Sequence, residues 1–170
     1  DVASVQEGGE QRTIQTVEYN PETLTVRIEP QGGLRAGSGY TVSLPRSIGG
    51  PQRDGPYTLR FSTAVPRVVA LDPAADAQGV TVDLDEASVL FSVPIDADKV
   101  TAGYFQILRG AELLNLRPGD PVDRGDGRYG LAPEAGWNAG SAYRVRIAPG
   151  VSGPLGSGQP ITWRFSTRIP

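Results

Sequence analysis

Three residue types that carry much protein chemistry are missing from this sequence. Its 170 residues contain no histidine, no cysteine and no methionine. Without histidine there is no imidazole to act as a general base, a metal ligand or a pH switch near neutrality. Without cysteine there is neither a disulfide nor a thiolate nucleophile or zinc ligand. The lack of methionine leads us to expect a fragment or processed product of a longer protein, with any signal peptide upstream.

Charge and hydropathy argue against two further classes of protein. The net charge is −3, with 16 Lys and Arg against 19 Asp and Glu, whereas a nucleic-acid surface needs clustered basic residues. No apolar run approaches the ~20 residues that a membrane-spanning helix requires. We therefore expect neither a nucleic-acid partner nor a membrane span. The chain is instead rich in Gly (22) and Pro (15), which indicates many turns.

One short stretch of sequence occurs twice. "GSGYTVSL" at 37–44 is repeated as "GSAYRVRI" at 140–147, and "RFST" follows each copy about twenty residues later. Aligning Tyr40 with Tyr143 therefore aligns two segments of the chain. Such internal similarity indicates two copies of one structural unit.

The two copies differ in how much sequence precedes them. Only 33 residues precede Leu34, whereas 71 residues counted from Pro66 precede the aligned Trp137, which leaves 38 without a counterpart. We therefore predict a complete module at 66–170 and a partial module at 1–65 that lacks its opening strands. The unmatched residues include "SVLFSVPID", which should form a core strand. The partial module would be a trimmed remnant or would be completed by a neighbouring chain through strand addition.

Apolar residues alternate with polar ones along many short segments. Tyr143, Val145 and Ile147 fall on one face of such a segment, and Arg144 and Arg146 on the other. This period of two is typical of antiparallel strands with one buried face. Many such strands separated by turns predict an all-β sandwich. We expect strands near residues 2–5, 12–19, 24–29, 40–44, 57–63, 68–72, 80–84, 88–93, 104–109, 113–117, 128–132, 142–148 and 161–167.

The second module resembles the bacterial Ig-like domains of surface and S-layer proteins. The resemblance covers essentially all of 66–169, where the motifs of that family occur in the same order. Two positions depart from the family pattern: Trp137 replaces the usual leucine, and Val93 replaces a usual acidic residue. The resemblance implies two Ig-like β-sandwich modules in tandem. The motif residues are Pro73, Gly79-Val80, Val82-Asp83, Phe91-Ser92-Val93-Pro94-Ile95-Asp96, Trp137 to Ile147, and Phe165 to Thr167.

The resemblance also implies a function. We expect a non-catalytic spacer, adhesion or structural module of an extracellular or S-layer protein, located at the cell surface and needing no cofactor. Its partners would be neighbouring modules of the same protein or other copies of it, with strand exchange through 1–65 as one route. The alternative is a carbohydrate- or ligand-binding accessory module of a secreted enzyme, which requires exposed aromatic side chains; Tyr57, Tyr104 and Tyr129 are the candidates.

The residues expected to be structural are mostly aromatic. Tyr40 and Tyr143 are predicted tyrosine corners, in which the buried ring returns its hydroxyl to backbone a few residues upstream. The other aromatic residues on apolar strand faces should lie in the core; they are Trp137, Trp163, Phe61, Phe91 and Phe165.

The loop "GDPVDRGDG" at 119–127 is the stretch most suggestive of a ligand. Asp120, Asp123 and Asp126 are candidates for a calcium site, since Ca²⁺ takes several oxygen ligands. The spacing lacks the EF-hand pattern, and Asp and Gly are also the residues that turns select. We favour the turn, with no metal bound. Arg124-Gly125-Asp126 also spells an integrin-type tripeptide, for which chance is the simpler explanation.

Overall fold

A computed structural model describes residues 3–45 and 55–170 of the chain. The chain divides into two compact units, Asp1–Ala64 and Val65–Pro170, named here unit 1 and unit 2. Each is described separately. The first residue of the strand predicted at 2–5, Val2, lies outside the described residues.

Unit 1 consists of a sheet and a separate hairpin. Its strands are β1 (Ser4–Glu7), β2 (Glu10–Arg12), β3 (Ile14–Asn20), β4 (Thr25–Pro30), β5 (Gly39–Leu44) and β6 (Tyr57–Ser62). Within the described residues, the sheet has the order β2-β1-β5-β6, and β3 and β4 form a two-stranded antiparallel hairpin. Among the described residues of unit 1, the buried hydrophobic residues are Val5 and Tyr40, so the described part of this unit has little enclosed core.

Unit 2 is a β-sandwich. Its strands are β7 (Val68–Asp72), β8 (Ala77–Val80), β9 (Ala87–Phe91), β10 (Phe105–Arg109), β11 (Glu112–Leu114), β12 (Val122–Asp123), β13 (Arg128–Leu131), β14 (Ala142–Ile147) and β15 (Ile161–Thr167). One sheet has the order β11-β10-β14-β15-β8 and the other β12-β13-β9-β7. Strand β8 pairs in parallel with β15, and the other pairs are antiparallel.

The alternation along the strands explains where the core of unit 2 lies. In β14, Tyr143, Val145 and Ile147 are buried while Arg144 and Arg146 are exposed, because successive side chains of a strand point to opposite faces. Both sheets contribute to one hydrophobic cluster; its buried members are Ala87, Val89, Phe91, Ile95, Phe105, Ile107, Tyr129, Leu131, Ala132, Trp137, Tyr143, Val145, Ile147, Val151, Trp163 and Phe165. The predicted all-β fold is confirmed.

The strand predicted at 80–84 is wrong. Strand β8 ends at Val80, and a turn follows in which Leu84 N–H donates to the Thr81 carbonyl and Asp83 N–H donates to the Thr81 hydroxyl. A Ser or Thr hydroxyl that binds nearby backbone in this way competes with strand pairing. The segment predicted at 12–19 is also divided, since β2 ends at Arg12 and β3 begins at Ile14.

Candidate functional site

The repeated sequence forms the same tyrosine corner in both units. The hydroxyl of Tyr143 accepts a hydrogen bond from the backbone N–H of Asn138 at 2.7 Å, and that of Tyr40 accepts one from Arg35 N–H at 2.7 Å. Both rings are buried. Burial raises the pKa of Tyr40 above its usual value, because the phenolate would be desolvated. Each corner thus ties the tyrosine ring to backbone five positions upstream.

A threonine completes each corner. The Thr167 hydroxyl accepts from Ser141 N–H at 2.9 Å and donates to the Asn138 carbonyl at 2.5 Å. In unit 1 the Thr63 hydroxyl accepts from Ser38 N–H at 2.9 Å and donates to a backbone carbonyl, that of Arg35, at 2.6 Å. The ring stacking is also reproduced, with centroids 5.6 Å apart for Tyr143–Phe165 and 5.5 Å for Tyr40–Phe61.

The correspondence extends to the strand register. Val5 pairs with Val42 and Val42 with Leu59, just as Ile107 pairs with Val145 and Val145 with Trp163. Strands β1, β2, β5 and β6 thus occupy the positions of β10, β11, β14 and β15. The hairpin strand β4 corresponds to β13 in sequence position, because both are followed by the same proline-to-tyrosine stretch. Within residues 3–45 and 55–64, no strand takes the position of β7, β8 or β9.

Strand β9 fills the centre of unit 2. It runs antiparallel to β13, with Val89 opposite Tyr129 and Ala87 opposite Leu131, and β7 lies on its other side. The side chains of Ala87, Val89 and Phe91 are buried in the shared core. This strand therefore covers the apolar face of the opposite sheet.

The equivalent face of unit 1 is open. Leu34, Leu59 and Phe61 are 50%, 47% and 36% exposed, whereas the aligned Trp137, Trp163 and Phe165 are 8%, 3% and 2% exposed. These open residues line an apolar groove of about 510 Å³ between the sheet and the hairpin, here called the unit 1 groove. Its full lining is Val5, Leu24, Val26, Ile28, Pro30, Leu34, Val42, Leu44, Pro45, Gly55, Tyr57, Leu59 and Phe61.

The aromatic candidates for ligand binding are divided between core and surface. Tyr129 is buried, and its hydroxyl accepts from Ile95 N–H at 3.1 Å; burial raises its pKa. Tyr104 is partly buried against the core, while Tyr57 is exposed at the groove. The two tryptophans lie in the core, as does Phe91, whereas Phe61 is part of the open face. Two of the three tyrosines therefore do not form the exposed platform that the sugar-binding alternative requires.

The acidic loop uses its carboxylates to hold backbone. The side chain of Asp120 is almost fully buried and accepts from Ala132 N–H at 2.6 Å, and the Asp123 carboxylate accepts from Gly125 N–H at 2.8 Å. Asp126 adopts a left-handed conformation with φ of 50°. The described part of the chain contains no group of three or more acidic side chains placed to hold a metal ion. The structure thus does not bring the three calcium candidates together as ligands.

The tripeptide 124–126 is exposed, but its arginine makes an ion pair within unit 2. Arg124 donates to both carboxylate oxygens of Glu86, with the Nη2–Oε2 distance 2.6 Å. The hydrogen bond to this carboxylate raises the pKa of the guanidinium. The arginine therefore links the acidic loop to the residue that precedes β9.

The unit 1 groove is not predicted by any single residue or motif of the sequence. Its residues are ordinary strand apolars such as Val26 and Val42, with no chemical motif. The 38 residues without a counterpart were the available signal, because they include β9, which covers this face in unit 2. Locating the groove also needs the placement of the β3-β4 hairpin, which the sequence alone does not give.

Comparison with known proteins assigns a family to the larger part of the chain. The family model described as "Bacterial Ig-like domain" matches residues 62–167. No curated protein matches the chain. Among the described residues, no helix is long and apolar enough to cross a membrane.

Proposed function

The chain belongs to the bacterial Ig-like domain family, and from this premise we propose that it is a structural spacer in a larger bacterial surface protein. Domains of this family are often found in surface proteins and are generally non-catalytic. The S-layer location, the adhesive role and the tandem arrangement are parts of this proposal. Its partners would be neighbouring modules or other copies of the same protein.

The observation that carries the proposal is that the acidic, basic and tyrosine side chains named as candidates in unit 2 are bound to other parts of the same unit. Asp120 and Arg124 hold the acidic loop, and Tyr129 and Tyr143 hold backbone from within the core. Polar groups bound in this way stabilise a fixed shape rather than present a reactive site. A rigid sandwich that sets the distance between its ends is the role such an arrangement supports.

Single-molecule force spectroscopy tests the spacer role. The chain is pulled between flanking reference domains, and a spacer should show a discrete unfolding event for unit 2. The gain in length should match residues 65–170 at roughly 3.6 Å per residue. Gradual extension at low force, with no such event, would contradict a load-bearing role.

Accessibility on cells tests the location. In the source bacterium, a protease added to intact cells should cleave the protein, while a cytoplasmic control protein remains uncut. Protection until the cells are lysed would contradict placement at the surface.

A further inference from the structure

We propose that the unit 1 groove binds an extended polypeptide strand from outside these 170 residues, which pairs with β4 as β9 pairs with β13. The inference stands on the correspondence between the two units, not on the spacer role. The occupant is defined by its chemistry: a strand whose alternate side chains are small or apolar and point into the groove.

The backbone of β4 supplies one half of the recognition. Strand β13 pairs with β12 on one side and β9 on the other, whereas β4, among the described residues, pairs with β3 alone. An edge strand presents unpaired N–H and C=O groups that can accept a further strand. By correspondence with β13, residues of the incoming strand would lie opposite Val26 and Ile28.

The groove supplies the other half. Val26 and Ile28 correspond to Tyr129 and Leu131, which face Val89 and Ala87 across the ladder of unit 2. The side chains on the opposite sheet are also equivalent, since Val42 and Leu59 occupy the positions of Val145 and Trp163. The incoming strand should therefore place apolar side chains opposite Val26 and Ile28 and at the position that corresponds to Phe91.

The chain cannot supply this strand from its own unit 2 without unfolding that unit. Ala87 and Val89 are fully buried in the unit 2 core, and β9 is paired on both edges. Exposed apolar side chains of the groove, such as Leu59 and Leu34, meanwhile form a contiguous patch, and such patches mark interaction sites. An external strand therefore fits both facts.

The test uses a synthetic peptide with the sequence of residues 86–96, "EASVLFSVPID", labelled with fluorescein and titrated into the full chain. We expect saturable binding of one peptide per chain. Amide hydrogen exchange should slow within 25–29, where the new ladder forms. A control peptide with aspartate at the positions of Val89 and Phe91 should bind roughly tenfold more weakly or not at all.

Matched variants of the chain locate the site. Leu59→Asp puts a charge in the groove at an already exposed position, and it should weaken peptide binding roughly tenfold. Leu113→Asp makes the same change on an exposed β11 residue outside the groove, and it should leave binding unchanged. The backbone amide NMR signals of Ser38 and Thr63, which lie in the unit 1 corner, should stay unchanged if unit 1 of the Leu59→Asp variant remains folded.

Three outcomes would overturn the proposal. The first is equal binding of both peptides, and the second is peptide binding without slower exchange in 25–29. The third is self-association of the chain that Leu59→Asp abolishes and the peptide does not inhibit, since the occupant would then be a second copy. If Leu59→Asp unfolds unit 1, the two peptides and the exchange data still decide the question.

Discussion

Removal of the two hydroxyls at the unit 2 corner should destabilise this unit measurably. Tyr143→Phe leaves the Asn138 N–H without its acceptor, and we expect a loss of about 1 kcal/mol, the net value of one hydrogen bond. Thr167→Val removes the partner of Ser141 N–H and of the Asn138 carbonyl. Because this side chain is buried, we expect a loss of about 2 kcal/mol.

The two losses should not add fully. Both hydroxyls bind the backbone of Asn138, one through its N–H and the other through its carbonyl. Groups in one hydrogen-bond network commonly show a coupling of about 0.5 kcal/mol or more. The double variant should therefore lose less than the sum of the single losses.

Tryptophan fluorescence provides the assay, because both tryptophans, Trp137 and Trp163, lie in unit 2. Urea unfolding should give lower midpoints at unchanged m, and each kcal/mol should lower Tm by roughly 4 °C for a unit of this size. Thr162→Val is the matched control, since it changes an exposed threonine of the same strand and should stay within about 0.5 kcal/mol. Midpoints for Tyr143→Phe and Thr167→Val equal to that control would refute the role of the corner.

Three further predictions concern unit 2. Gly127→Ala should lower the stability of unit 2 more than Gly125→Ala. Both residues have positive φ, but of the two only Gly127 would place a Cβ within 4 Å of a described atom, the Phe91 carbonyl oxygen at 2.7 Å. Equal urea midpoints of the two variants would contradict this. The pKa of the Tyr129 hydroxyl is raised in the folded state, so the unfolded state loses this proton at a lower pH than the folded state does. The free energy of unfolding should therefore fall above about pH 10, and it should fall less in Tyr129→Phe. Equal losses in urea midpoint for the native chain and the variant would contradict this explanation. Asp120→Ala should cost about 1–3 kcal/mol because Ala132 N–H loses its acceptor, while millimolar calcium should leave the Tm of the native chain unchanged; a calcium-dependent rise would instead favour a metal site.

Much of the fold could be predicted from the sequence because its signals are local. The alternation in β14 depends only on neighbouring residues, and the alignment of Tyr40 with Tyr143 needs only similar sequence. Strands β5, β6, β7 and β10 also lie within two residues of the predicted bounds. The family assignment agrees with the resemblance in the second module.

The errors arose where a competing interaction decides the backbone. The stretch from Val80 to Leu84 alternates like a strand, yet the Thr81 hydroxyl and carbonyl bind the residues that follow and form a turn. Strands β2 and β12 are only three and two residues long. Each pairs with the neighbouring strand of a hairpin, β2 with β1 and β12 with β13, but periodicity over so few residues cannot reveal them.

The candidate site, the unit 1 groove, was likewise predictable in part from the sequence and in part only from the structure. The number of unmatched residues allowed us to predict that the module at 1–65 lacks opening strands, and this stays a prediction. The identity of the open face required the structure, because the strand pattern predicts Phe61 to lie in the core, and Leu34 aligns with Trp137, which is also predicted as core. Leu34, Leu59 and Phe61 are exposed because no described strand of unit 1 covers them as β9 covers the equivalent residues of unit 2. The three residues themselves give no sign of this difference.

A structure of the full chain with the peptide 86–96 bound would test the central claim most directly. We expect a peptide strand antiparallel to β4, with its valine at the position of Val89 opposite Val26 and with Leu34 and Phe61 buried beneath it. An experimental structure in which unit 1 alone encloses Leu34, Leu59 and Phe61, leaving no groove for the peptide, would contradict it.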